Sequence, residues 1–383
     1  MELPGLMFLA LTLCLPIWFV GRNEYVNLPL MFGACLLHIV TVFLQNSMLQ
    51  NVNADAHLYY YGLENYLAQP LTIGTSLVVH ATFGLRTMFD LSFIDMMLLF
   101  GLIGTCPILM LIAQVGTRIP AGHRLWAYAA CLLPGMFFWT SVIGKDAITT
   151  AGIALAMVCA RDLPKRSIGF ACGILIVMLI RPHVALLLAA AFGVSRLFFG
   201  TKLSSRFGLI LLGFAALPIA IIAMQNFIGI NVLNFSEVSQ FFNEQQGYVA
   251  TTADEGVVYI ANPLQRAAYF LFRPMFFDAD TPLALIASFE NLAVLLVVAR
   301  IAYLWRQYGI PDRQNAVFYA LAALALMLFL GLTGYNVGLA LRQKVMAYPA
   351  LVSLLILGEA AAATRKRDRL QRPVALSPNI GSI

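Results

Sequence analysis

The segment GFACGILIVMLIRPHVALLLAAAFGV, residues 169–194, is apolar except for Arg181 and His183 near its centre. Pro182 between them donates no backbone hydrogen bond and disfavours a helical conformation at the residue before it. A long apolar run is typical of chain segments that cross a lipid bilayer. The segment therefore predicts two membrane-spanning helices, joined at a break that carries two ionisable side chains.

The composition of the whole chain agrees with this pattern. Of its 383 residues, 61% are hydrophobic and 11% are charged, and the mean hydropathy is +0.83. A soluble domain carries about 25% charged residues, so these values exclude a soluble enzyme and a disordered chain. The six cysteines stand singly within apolar runs and form no CxxC motif, which is typical of membrane-core residues rather than of disulfides or metal ligands.

About 11 segments are long and apolar enough to span a bilayer, which predicts an all-α, polytopic integral membrane protein. They form one domain over residues 1–363, followed by a basic, disordered tail over 364–383. The predicted spans are 3–20, 27–45, 92–115, 124–142, 146–160, 168–181, 184–199, 206–226, 283–305, 316–335 and 340–361. Two long loops lie at about 46–91 and 227–282, and the stretch after residue 70 is predicted to form an interfacial or re-entrant helix.

The Lys and Arg residues predict the orientation. If the tail is cytoplasmic and the spans alternate, 17 of the 24 Lys and Arg residues lie on the cytoplasmic side. The positive-inside rule then places the N-terminus outside and the C-terminus in the cytoplasm. The remaining cations, on the outer side, are Arg86, Lys145, Arg181, Arg266, Arg273, Arg342 and Lys344. The net charge of +6 is explained by this topology, and no nucleic-acid partner is expected.

Charged residues at the outer ends of the spans form the candidate site, because a charge in so apolar a chain is costly unless another group or water compensates it. The candidate phosphate ligands are Lys145, Arg181, Arg273, Arg342 and Lys344. Each cation alone is also typical of an interfacial anchor. Asp146 fits the first turn of a helix, either as a cap or as a support that holds Lys145. Glu290 is a further supporting carboxylate.

Two residues are candidate general bases, Asp55 and His183. Asp55 lies in ADAHLYYYGLENYL, residues 54–67, where helical spacing places Tyr59 on the same face. The alternative interpretation of this stretch is an interfacial amphipathic helix with an aromatic belt. A divalent cation shared by Asp55 and Glu290 is compatible with the sequence, although no ligand spacing requires one.

Six short motifs occur in an order that resembles bacterial surface-polysaccharide proteins related to C-type glycosyltransferases and to O-antigen or exopolysaccharide polymerases. The motifs are Asp55–Tyr59, Gly74–Ser76, Phe138–Asp146, Ile180–Ala185, Phe272–Pro274 with Ser288–Asn291, and Arg342–Val345. The resemblance implies a C-type glycosyltransferase-like fold in the bacterial plasma membrane. It also implies that Asp55 is the catalytic base, and that Arg181, Arg273 and Arg342 engage a lipid diphosphate.

The residues and the resemblance together favour a glycosyltransferase or polymerase that acts on a polyprenyl-(di)phosphate-linked saccharide at the extracytoplasmic face. The expected partners are this saccharide, membrane lipid and other polysaccharide assembly proteins. One alternative is a transporter or flippase of the same lipid-linked saccharide, and another is a non-catalytic subunit of the assembly machine. A transport path needs polar groups at several depths, whereas the predicted spans concentrate their charge at the outer ends.

Overall fold

The computed structural model describes residues 3–20, 27–50, 54–62, 67, 70–199, 225, 231, 234, 236–237, 240, 262–310, 312–333 and 337–371. Over these residues the chain forms helices and turns without strands, which confirms the all-α prediction for this part of the chain. The predicted span 206–226, apart from Gln225, lies outside the described residues. So do most of the predicted loop 227–282 and the tail beyond Gln371.

The helices follow the apolar runs of the sequence. They are α1 (Leu3–Val20), α2 (Leu28–Leu49), α3 (Asp55–Tyr61), α4 (Thr75–Phe89), α5 (Phe93–Arg118), α6 (Leu125–Cys131), α7 (Pro134–Phe138), α8 (Lys145–Ala160), α9 (Leu163–Ile180), α10 (Pro182–Phe199), α11 (Pro263–Phe272), α12 (Pro282–Tyr308), α13 (Arg313–Thr333), α14 (Val337–Lys344) and α15 (Tyr348–Gln371).

Five helices of the described residues are long and apolar enough to cross a membrane, and three apolar helices are shorter. The long ones are Leu28–Leu49, Phe93–Arg118, Pro182–Phe199, Pro282–Tyr308 and Val337–Arg367, the last of which joins α14 and α15. The shorter ones are Leu3–Phe19, Arg313–Phe329 and the pair α6 and α7 taken together, Leu125–Phe138. The chain therefore has the helices of a membrane-embedded protein.

Three predicted segments differ from the structure. The segment 124–142 is divided into α6 and α7, because Pro134 cannot continue the hydrogen-bond ladder of α6 and instead begins α7. The helix predicted over 54–67 ends at Tyr61, where Gly62 adopts a φ of 66°. Helix α15 continues to Gln371, into the segment predicted as a disordered tail, because Ala, Arg and Lys favour helix.

Helices α8 and α9 pack with their backbones close together, because small residues face each other across the contact. A Cβ atom at Gly173 would lie 2.7 Å from the backbone N of Ala156 and 2.7 Å from the backbone O of Gly152. Small residues at such contacts let membrane helices approach closely. Around this pair, α5 contacts α8, α10 contacts α9, and the largely buried α15 contacts α5, α8, α12 and α13.

Candidate functional site

Four helix ends meet at one end of the bundle. Helix α8 begins at Lys145, α9 ends at Ile180 and α10 begins directly after it. Arg181, the residue between α9 and α10, has φ −141° and ψ 79°, which confirms the predicted break before Pro182. Helix α4 is attached to the same end, because the backbone N of Gly74 donates a 2.8 Å hydrogen bond to the carbonyl O of Leu179. Gly74 has a φ of 91°, which favours glycine at this turn.

Asp146 lies at the centre of this end, in the first turn of α8 as predicted. Its side chain is buried, and both carboxylate oxygens accept hydrogen bonds from guanidinium groups. Arg181 Nη2 donates to Oδ1 at 2.6 Å, and Arg342 Nε donates to Oδ2. Arg181 is itself buried. Breaking either contact would leave an uncompensated buried charge, which is costly. The buried carboxylate therefore holds both guanidinium groups in fixed positions.

Arg342 also binds a second carboxylate. Its Nη1 atom donates to Asp55 Oδ2 at 3.0 Å, and the side chain of Asp55 is 61% exposed, whereas that of Arg342 is 20% exposed. Tyr59 follows one turn after Asp55 and is buried; a Cβ atom at Gly144 would lie 3.3 Å from its ring. Burial is the main cause that raises the pKa of Tyr59. Arg342 therefore connects a buried carboxylate to one that is open to the surroundings.

Lys145 lies in the same group, but its partner differs from the predicted one. Its ammonium donates a 2.9 Å hydrogen bond to Thr75 Oγ1, whereas the described hydrogen bonds of the Asp146 side chain are to arginines. Lys145 stands just before the predicted span 146–160. Burial and the charge of Arg181 lower the pKa of Lys145 to about 8, against the opposing effect of Asp146. Thr75 belongs to the Gly74–Ser76 motif, although the sequence alone did not single it out as a site residue.

These residues form one electrostatic unit, which we call the Asp146 cluster: Asp55, Lys145, Asp146, Arg181 and Arg342. With three cations and two carboxylates, its formal charge is +1. The buried carboxylate has both oxygens occupied, while the other is exposed. The cluster can therefore present positive charge from fixed positions to an anionic group, next to a carboxylate that solvent or a hydroxyl group can reach.

Lys344 and Glu290 belong to a second group of polar contacts. Lys344 is buried, and its ammonium donates to Asn291 Oδ1 at 2.8 Å and to the carbonyl O of Leu271 at 3.0 Å. Glu290 accepts hydrogen bonds from Tyr348 OH at 2.6 Å and from the backbone N of Gly135 at 2.8 Å. These contacts connect α12 to α7, α11, α14 and α15. They indicate that Lys344 and Glu290 hold the helices together.

Arg273 and His183 also have partners outside the Asp146 cluster. Arg273 Nε forms a 3.0 Å ion pair with Asp278 Oδ2, and its guanidinium lies over the ring of Tyr269. The ring of His183 stacks against Phe329, with the ring centroids 5.3 Å apart. Asp55, the other candidate base, forms an ion pair with Arg342 of the cluster.

Asp55 and Glu290 have separate partners. Over the described part of the chain, no group of three or more His, Cys, Asp or Glu side chains is placed to hold a metal ion. A divalent cation shared by Asp55 and Glu290 stays a prediction.

Comparison of the chain with protein-family models, with curated proteins and with solved structures gives no match.

Proposed function

We propose that the protein is a membrane-embedded glycosyltransferase or polymerase that acts on a polyprenyl-(di)phosphate-linked saccharide at the extracytoplasmic face, in surface polysaccharide biosynthesis. The observation that carries the proposal is the position of Arg342, which binds buried Asp146 and exposed Asp55 with one guanidinium group. This arrangement puts a cation for a phosphate beside a carboxylate for a hydroxyl group.

The cations suit a lipid-phosphate leaving group. When the bond between the sugar and the phosphate breaks, negative charge develops on the phosphate oxygen that leaves. Fixed cations in a site of low dielectric stabilise such charge strongly, because they need no rearrangement during the reaction. Asp146 holds Arg181 and Arg342 in place, and Lys145 adds an ammonium group from the first residue of α8.

Asp55 suits the role of general base. In the proposed step, its carboxylate takes the proton of an acceptor hydroxyl group while the hydroxyl oxygen forms a bond to the anomeric carbon. The bond from that carbon to the phosphate oxygen breaks, and the lipid (di)phosphate leaves with the electron pair. Asp55 is exposed enough to meet an acceptor, and its ion pair with Arg342 keeps it next to the leaving group.

The proposed topology has about 11 spans in a bacterial plasma membrane, with a C-type glycosyltransferase-like fold, the N-terminus outside and the C-terminus in the cytoplasm. Support comes from the two ends of α8, a helix of 16 residues and about 24 Å in length. The Asp146 cluster lies at its first turn. Arg118 and Asp162 form an ion pair beyond its last turn, on the side where the positive-inside rule places the cytoplasm.

The test measures transfer of a labelled saccharide from its lipid carrier in membranes that contain variants at equal protein levels. Lys145→Met and Arg342→Gln should each lower the transfer rate at least 100-fold. Arg118→Gln is the matched control, because Arg118 is also ion-paired but lies at the other end of α8. Transfer at the normal rate in both cluster variants would remove the proposal.

A second measurement identifies the reaction. Mass analysis of the polyprenyl-linked intermediates that build up when the gene is deleted should show single repeat units for a polymerase, and truncated repeat units for a transferase. Movement of the labelled lipid across vesicle membranes, without formation of new glycosidic bonds, would instead indicate a flippase.

A further inference from the structure

A cavity of about 890 Å³ lies between α2, α7, α11, α12 and α14. Its lining includes none of the five residues of the Asp146 cluster, so it is separate from the site proposed for transfer. One face of α2 forms a wall, with Leu37, Thr41, Leu44 and Met48 at helical spacing. A cavity of this size holds a ligand of at least drug-like dimensions.

The walls of the cavity are mostly apolar. Two of its long walls, α2 and α12, are helices that are long and apolar enough to cross a membrane. Phe137, Phe138, Ala284 and Leu341 add aromatic and aliphatic surface. Wall residues such as Leu44, which is 55% exposed, also reach the outer surface of the bundle. The cavity therefore opens at the apolar outer surface of the bundle, and its lining suits a hydrocarbon chain.

The polar residues of the cavity, other than Glu290, lie mainly on the segment between α11 and α12. Arg273 pairs with Asp278 at 3.0 Å, and Thr281 caps the first turn of α12. Asp280 is exposed, and it takes part in none of the ion pairs found among the described residues. One cation and two carboxylates give this rim a formal charge of −1. A head group with negative charge alone is disfavoured there, whereas one that carries both an ammonium and a phosphate meets groups of opposite sign.

We propose that this cavity binds a membrane phospholipid with an amine-bearing head group. One hydrocarbon chain lies between α2 and α12, the ammonium group pairs with Asp280, and the phosphate is near Arg273. The proposal does not depend on the proposed function, since it uses none of the residues of the Asp146 cluster. Lipid binding would connect α2, α12 and α14, because residues of all three helices line the cavity.

The test uses the purified full-length protein in detergent and native mass spectrometry with phosphatidylethanolamine, phosphatidylglycerol or an isoprenyl phosphate. The protein should bind phosphatidylethanolamine at least fivefold more tightly than the other two. Ala284→Phe, which fills the cavity, should weaken this binding at least fivefold. Ala299→Phe is the matched control, because Ala299 lies on the same helix and is exposed but does not line the cavity.

Asp280→Lys provides a second variant if Ala284→Phe does not fold, because Asp280 is exposed and its replacement disturbs no packing. It should remove the preference for phosphatidylethanolamine over phosphatidylglycerol by reversing the charge at the rim. Unchanged binding in Ala284→Phe would overturn the proposal. So would a wild-type preference for phosphatidylglycerol or the isoprenyl phosphate, or an unchanged preference in Asp280→Lys.

Discussion

Replacing Asp55 with Asn should make the Asp146 cluster bind anions more tightly. Asp55 occupies Arg342 Nη1, and its side chain is 61% exposed. An ion pair with such an exposed partner contributes about 0–1 kcal/mol to stability. The fold should therefore tolerate the change. A carboxylate about 4 Å from a bound phosphate repels it by about 1 kcal/mol in water and by more in a lower dielectric. Removing that repulsion and weakening the contact to Nη1 should raise the affinity for a phosphate about 5-fold to 10-fold.

The same substitution should have the opposite effect on transfer. An amide cannot accept the proton of the acceptor hydroxyl group, and a positioned general base contributes typically about 10²–10⁴-fold to a rate. Asp55→Asn should therefore bind anions more tightly while its transfer rate falls at least 100-fold. Loss of structure alone would lower both quantities.

The affinity is measured by calorimetry with inorganic diphosphate, at low ionic strength, on the purified protein in detergent. Asp278→Asn is the matched control, because Asp278 also pairs with an arginine but lies outside the cluster. Its diphosphate affinity should equal that of the wild type. Unchanged or weaker diphosphate binding in Asp55→Asn would refute the argument, and a retained transfer rate would show that Asp55 is not the base.

Three further predictions concern stability and pH. Asp146→Asn should lower the free energy of unfolding by about 3–5 kcal/mol, seen as a lower thermal midpoint, because it removes the counter-charge of two arginines. The pKa of Lys145, about 8, means that its charge is lost as pH rises through 8. Diphosphate affinity should therefore fall between about pH 7 and pH 9, and Lys145→Arg should flatten this dependence. Gly135→Ala should lower the thermal midpoint, because the new Cβ would lie 2.9 Å from Glu290 Oε2, whereas Gly122→Ala, with nothing within 4 Å, should leave it unchanged.

Helix positions could be predicted closely where one apolar run forms one helix. The run 283–305 corresponds to α12, Pro282–Tyr308, because hydropathy and helix length together define such a segment. The segment 124–142 is also a mainly apolar run, yet it is broken at Pro134 into two short helices. One proline changes the mean hydropathy of a long segment only slightly, so a hydropathy profile does not show the break.

The candidate site was predicted in part. Charges at one end of several spans were expected to lie together. In the structure, Asp146 contacts Arg181 and Arg342, and Arg342 contacts Asp55. Lys145 is near enough for these charges to affect its pKa. Arg342 and Lys344 were both predicted to be phosphate ligands, because they lie at the outer end of the same predicted span. A helix turns by about 100° per residue, so side chains two apart point in nearly opposite directions. Arg342 accordingly contacts Asp146, and Lys344 contacts Asn291.

The pairing of Asp146 depends on which helices are neighbours, and that information is spread over the whole chain. Arg181 lies 35 residues after Asp146 in the sequence, and Arg342 lies 196 residues after Asp146. Asp55 and Arg342 are 287 residues apart. During synthesis the carboxylate of Asp146 thus meets its cations in two stages, first Arg181 and much later Arg342. A chain that is cut short before α14 lacks Arg342, so Asp146 keeps one of its two arginine partners and Asp55 loses its ion pair. The site is therefore complete only when α14 has been made, because Arg342 follows Asp55 by 287 residues.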